Sequence, residues 1–368
     1  MKILSIIGTR PEAVKMAPVI KELERHPGRI ISRICVTAQH RDMLDQVLAL
    51  FSIKPHYDLD VMEANQSPTQ IATAVLSRLQ PVLREESPDW VLVQGDTTTV
   101  LAAALGAFYA RSKIGHVEAG LRTHDKYQPF PEEINRRVAS IVADLHFAPT
   151  ALARENLLRE GIADKAIRVT GNPVIDALYA VADRPYDPAS GPLAKIPWDR
   201  RLILVTAHRR ENFGAPLEQI CFALRDLAET YAGDVHIVYP VHPNPNVQEP
   251  VNRLLGKTTG ITLTPPLDYL PLVYLMKRSI LVLTDSGGLQ EEAPGLGKPV
   301  LVLREVTERP EAVAAGTVRI VGTDRAKIVE NAKKLLDTKT EYQKMAHAVN
   351  PYGDGHAAER IVKALMEF

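Results

Sequence analysis

The chain has 368 residues, enough at roughly 150 per domain for two domains or one large one. Its 44 basic and 44 acidic side chains cancel, which argues against a protein built to hold nucleic acid or an anionic membrane. The share of hydrophobic residues, 45%, rules out wholesale disorder.

Short apolar runs alternate with helical stretches almost throughout. The first run, 3–7, is bounded by Gly8 and is too short for a signal peptide or a membrane span. No later stretch reaches spanning length, so a cytoplasmic location is expected. Helical sequence follows over 11–25, with Pro18 read either as a first-turn proline or as a kink. A strand is predicted at 31–36, a helix at 41–51 and a long helix at 68–86. Next come a strand at 90–93, an Ala-rich helix at 98–110 and strands at 114–117, 145–147 and 167–169. Helices are predicted between these last strands at 132–142 and 151–160. Runs this apolar, separated by helices, read as a parallel sheet buried on both faces.

The pattern breaks at 184–200, where four prolines and Gly191 show no helical period; this segment reads as a linker or exposed loop. Strands then recur at 202–205, 235–239, 261–263, 280–283, 300–303 and 318–321, with helices between. The expected fold class is α/β: two Rossmann-like doubly wound domains, 1–172 and 173–352, with a cleft between them. A closing helix at 353–368 is expected to pack back on the first domain. Such folds bind ligands outside the carboxyl ends of their strands.

The residues just past each strand carry the chemistry. Asp285-Ser286-Gly287-Gly288 forms a strand-to-helix turn whose backbone N–H groups and helix end suit a phosphate, and Glu292, one turn in, suits ribose hydroxyls. Gly8-Thr9-Arg10 after the first strand is not G-x-G-x-x-G, so it does not support NAD binding. Arg10, His208 and Arg309 are candidates for a cationic pocket, or singly for surface ion pairs, Arg10 with Glu12 for one. Asp96, Glu118 and Glu132 are three acids expected at one edge of the first sheet. Asp96 is read either as a helix cap or as a site acid, and Glu132 either as a helix-start residue or as a site acid. Glu118 is harder to explain structurally, because an acid at a buried strand end needs a reason.

Two cysteines, Cys35 and Cys221, are too few for a disulfide scaffold or a Cys-rich zinc site and read as core residues. The eleven histidines show no H-E-x-x-H, so no metal site is expected; no G-x-S-x-G is present either.

Taken together and in order, Gly8-Thr9-Arg10-Pro11-Glu12-Ala13, Gln94-Gly95-Asp96-Thr97, His116-Val117-Glu118-Ala119-Gly120-Leu121-Arg122, Pro131-Glu132-Glu133-Ile134-Asn135-Arg136, His208-Arg209-Arg210-Glu211-Asn212 and Thr284-Asp285-Ser286-Gly287-Gly288-Leu289-Gln290-Glu291-Glu292 resemble the bacterial non-hydrolysing UDP-N-acetylglucosamine 2-epimerases. The resemblance implies a glycosyltransferase-B fold and a homodimer that interconverts UDP-N-acetylglucosamine and UDP-N-acetylmannosamine for cell-surface polysaccharide synthesis, without a cofactor. By position it implies Asp96, Glu118, Glu132 and His208 as catalytic groups. It implies Arg10, Lys15, Ser286, Gly287, Gly288, Glu292 and Arg309 as substrate-binding groups. Gln39 and His40 match a segment where some relatives bind a second UDP-N-acetylglucosamine as allosteric activator. Leu272 stands where some relatives carry an aromatic near the uracil.

Three rivals are distinguishable. A glycosyltransferase of the same fold needs an acceptor, a hydrolysing epimerase releases free N-acetylmannosamine, and a UDP-sugar sensor binds without turnover.

Overall fold

The computed structural model describes all residues except 38–40, 62, 64 and 65, and the backbone alone for 41–43. Two compact units result, one formed by Met1–Tyr179 with Tyr352–Phe368 and the other by Ala180–Pro351.

The first unit holds β1 (Lys2–Ile7), β2 (Ile31–Val36), β3 (Tyr57–Asp58), β4 (Trp90–Gln94), β5 (Lys113–Val117), β6 (Leu145–Ala148) and β7 (Ile167–Val169). They hydrogen-bond in the order β3-β2-β1-β4-β5-β6-β7, every pair parallel. Successive residues of a strand face opposite sides of the sheet, yet Ile3, Leu4, Ile6 and Ile7 of β1 are all buried, as are Val91, Leu92 and Val93 of β4. Helices therefore cover both faces, which is what parallel pairing requires. The helix Arg10–Glu24 starts with Pro11 in its first turn and runs on through Pro18. Ser67 and Gln70 close a reciprocal capping box on the helix Pro68–Glu86, so Pro68 sits where no backbone donor is missed.

The second unit holds β8 (Arg201–Thr206), β9 (Val235–Pro240), β10 (Ile261–Thr264), β11 (Ser279–Thr284), β12 (Val300–Val302) and β13 (Val318–Ile320), parallel throughout in the order β10-β9-β8-β11-β12-β13. Its core joins Ile203, Val205, Ile237, Leu281 and Leu283 to Leu224 and Leu227 of the helix Ala215–Thr230. The α/β class read from the alternation is thus what the chain forms, twice.

Three local expectations change. The first unit runs past residue 172 to Tyr179, because Asp176 in the helix Pro173–Ala182 accepts hydrogen bonds from Ala357 N (3.2 Å) and Ala358 N (2.8 Å) of the closing helix Ala357–Glu367. The segment 184–200 is not simply exposed: Leu193 and Ile196 are buried, and Trp198 packs edge-on against Tyr274, their rings 5.4 Å apart. Apolar residues too few to set a period still supply anchors there. Two-residue β3 escapes a reading based on apolar runs altogether. Among the described residues, no helix is long and apolar enough to cross a membrane.

Candidate active site

In both sheets the order reverses beside the first strand, between β1 and β4 and between β8 and β11. In an open parallel sheet the loops leaving the carboxyl ends of such a pair diverge, and the crevice between them is the usual ligand site.

In the first unit the two loops are Gly8–Arg10 and Gly95–Thr97. Their closeness dictates the glycines: a Cβ on Gly8 would lie 2.6 Å from Thr99 Oγ1, and Gly95 has φ 81°. Glu12 binds the two loops together. Its Oε2 accepts from Gly8 N at 2.6 Å, and its Oε1 accepts from the hydroxyls of Thr9 (3.1 Å) and Thr97 (2.8 Å). Burial lifts its pKa from 4.5 to about 7, the nearby Asp96 charge adding to the rise and the three donors opposing it. Folded Glu12 therefore holds its proton more tightly than the unfolded chain does. Its contribution to stability is full below pH about 4.5 and is lost as pH rises towards about 7. Glu12→Gln, which cannot titrate, is expected to flatten this part of the stability profile. Urea melts from about pH 4 to about pH 8 check this, and an unaltered slope would count against it.

Asp96 follows β4, but the cap of the helix Thr98–Tyr109 is Thr97, whose hydroxyl accepts from Val100 N at 3.4 Å. Asp96 is left to form an ion pair with Arg136, while Asn135 Nδ2 donates to Asp96 O at 3.0 Å. Both partners lie in the helix Glu132–Val142, so Glu132, its first residue, starts the same helix that grips Asp96. His116 Nε2 donates to Gly95 O at 2.8 Å, and burial drives the imidazole pKa down to about 3, which keeps it neutral in this supporting role.

Glu118 follows β5, the neighbour of β4. It is buried and has φ 64°, a left-handed conformation that a residue with a side chain adopts at a cost. Its Oε2 takes an ion pair from Lys15 Nζ at 2.5 Å and a hydrogen bond from Asn172 Nδ2 at 2.8 Å. Asp96 and Glu118 thus sit after adjacent strands, each held by a cation. Arg10 is the first residue of the helix Arg10–Glu24, one turn before Lys15.

In the second unit the loops are 207–209 and 285–287. Ser286 is the N-cap residue of the helix Gly287–Gly295 without a side-chain cap bond, and the helix's N-terminal N–H groups make an end suited to an anion. A Cβ on Gly287 would lie 3.7 Å from Arg309 Nη2 and 3.9 Å from Arg209 Nη2, which places both guanidinium groups over this turn. Arg309 forms an ion pair with buried Glu291. Glu292, also buried, accepts from Tyr269 OH at 3.0 Å. His208 stacks on His242 with ring centroids 5.3 Å apart and planes 8° apart. Burial lowers its pKa, Asp285 acting in the opposite sense.

The structure thus gathers Lys15 with Glu118, and Ser286, Gly287, Gly288, Glu292 and Arg309 at one turn. Gln39 and His40 lie outside the described residues. Sequence reading gave no site role to Glu12, Arg136, Asn172, Arg209 or Asp285 by itself. All but Asn172 stand inside the motifs that were read, but nothing in a linear sequence says which polar side chain of a loop is turned inward.

A family model described as UDP-N-acetylglucosamine 2-epimerase matches residues 21–366. The chain is 56% identical to the UDP-N-acetylglucosamine 2-epimerase of Escherichia coli strain K12, covering 99% of this chain and 98% of that protein. A crystal structure of UDP-GlcNAc 2-epimerase from Neisseria meningitidis bound to UDP-GlcNAc matches with a TM-score of 0.91 at 49% identity, covering 100% of both chains. The Methanocaldococcus jannaschii enzyme in complex with UDP-GlcNAc and UDP matches with a TM-score of 0.84 at 34% identity, again over 100% of both.

Proposed function

The chain belongs to the UDP-N-acetylglucosamine 2-epimerase family, and from that premise we propose how it epimerises UDP-N-acetylglucosamine to UDP-N-acetylmannosamine. The hydrogen on carbon 2 is not acidic, since the neighbouring anomeric carbon is not a carbonyl. Expelling UDP solves this. The bond from carbon 1 to oxygen breaks, its electron pair leaving with UDP, while a carboxylate takes the proton from carbon 2. A double bond forms between carbons 1 and 2, giving 2-acetamidoglucal. UDP then adds back to carbon 1 as carbon 2 is protonated on its other face.

Glu118, Asp96 and Glu132 supply the proton donors and acceptors that the two faces demand. The observation that carries this reading is the buried cluster of Lys15, Glu118 and Asn172: a carboxylate on strained backbone at a strand end, held by a cation. The second unit stabilises the departing diphosphate through the helix end at Ser286, Gly287 and Gly288 together with Arg209, Arg309 and His208, and Glu292 takes the ribose hydroxyls. Arg10 and Lys15 are taken as substrate-binding groups of the first unit. Leu272 leaves uracil to aliphatic packing. The working state is a cytoplasmic homodimer, with the segment containing Gln39 and His40 taking a second UDP-N-acetylglucosamine as activator.

The test uses UDP-N-acetylglucosamine without acceptor in deuterated water. The manno epimer is expected with deuterium at carbon 2, and heavy oxygen placed in the bond joining sugar to diphosphate is expected to scramble. Epimer that forms with neither change would refute elimination.

A further inference from the structure

Asp285 is wholly buried where β11 ends, and its two oxygens are used differently. Oδ2 accepts three hydrogen bonds from the loop after β8: His208 N and Arg209 N at 2.8 Å each, and Asn212 Nδ2 at 3.0 Å. Oδ1 is equally buried and accepts none among the described residues, while His208 Nδ1 lies 3.5 Å from it. A buried carboxylate oxygen without a donor is costly, and an imidazole N–H is the donor that a small ring movement would bring to it. The backbone bonds to Oδ2 fix the carboxylate plane, so Oδ1 is presented to the ring as a preset acceptor. The charged and titratable groups acting on that ring are Asp285, His242 and Arg209.

We propose that Asp285 is the positioning residue of His208: its Oδ1 accepts a hydrogen bond from Nδ1–H, so that Nε2 is the ring atom left for the ligand. In that state the neutral ring presents a lone pair at Nε2. The anionic partner behind it stabilises the imidazolium formed when Nε2 takes a proton from solvent as the diphosphate binds. This deepens the reading above and rests on it for the ligand of His208, not for the tautomer.

The experiment is a nitrogen-15 imidazole spectrum of the unliganded protein, with the His208 signals assigned by their loss in His208→Gln. The wild type is expected to carry its ring proton on Nδ1. In Asp285→Asn the two backbone donors keep the amide oxygen in the Oδ2 position. The amide NH2 then faces the ring, and the proton moves to Nε2. Turnover of that variant on UDP-N-acetylglucosamine is expected to fall by at least about tenfold. A wild-type ring protonated on Nε2 alone, or an unchanged tautomer in Asp285→Asn, would overturn the assignment. Should Asp285→Asn not fold, the wild-type spectrum decides by itself. Failure of the epimerase reading would show instead as an Nδ1-protonated ring in a protein that forms no epimer.

Discussion

Glu118→Gln is expected to lower the rate of epimer formation by about two to four powers of ten while leaving UDP affinity close to that of the wild type. The substitution is nearly isosteric, and Asn172 Nδ2 still has an oxygen to donate to. The ion pair with Lys15 is lost, together with the carboxylate proposed to exchange a proton with carbon 2. Asp96→Asn and Glu132→Gln are expected to fall in the same range, since each removes a titrating group and keeps the volume. Proton NMR of the reaction gives the rates, and UDP titration calorimetry separates binding from turnover. Wild-type turnover in all three variants would end the assignment of these acids to proton transfer.

Arg309→Ala is expected to act twice. Arg309 and Glu291 are both buried and form an ion pair, so truncation removes a countercharge from a buried carboxylate in the helix that starts at Gly287. Breaking a buried pair from one side costs about 3–5 kcal/mol, whereas replacing both members by apolar residues of similar size is often neutral. Chemical denaturation should therefore show a large loss for Arg309→Ala and a much smaller one for Arg309→Met combined with Glu291→Leu. Both variants lack the guanidinium beside Gly287 and should bind UDP more weakly, by about tenfold or more. A double variant that regains stability but not affinity separates the two roles. Full UDP affinity in either would remove Arg309 from the binding site.

Strands were legible because a parallel sheet covered on both faces needs near-continuous apolar runs, and β1, β4, β8 and β11 have them, β1 with Ser5 as its one interior polar residue. Candidate site residues were legible where a polar side chain stands within three positions of such a run's end, as Asp96, Glu118, His208 and Ser286 do. What stayed hidden is contact across the sheet. Glu12 stands in a helix next to Arg10 and invites reading as half of a rim ion pair, yet it is buried and takes its donors from Gly8, Thr9 and a loop more than eighty residues away. Asp285 was legible only as the start of the turn before Ser286, since its donors come from the loop after β8. The burial of Leu193 and Ile196 in a proline-rich stretch likewise depends on what packs there rather than on local period.

The chain leaves its first unit after Tyr179 and re-enters it at Tyr352, where Tyr352 O accepts from Asn172 N at 2.7 Å and the closing helix packs against the helix Arg10–Glu24. On the ribosome, residues 1–179 belong to a body that waits for residues 352–368 to be made. The inserted second sheet is by then fully translated and has every residue it needs. Until Ile361 and Leu365 emerge, apolar surface in the older half stays uncovered, so the part made first is the part finished last, and it carries the longer exposure to chaperones and proteases.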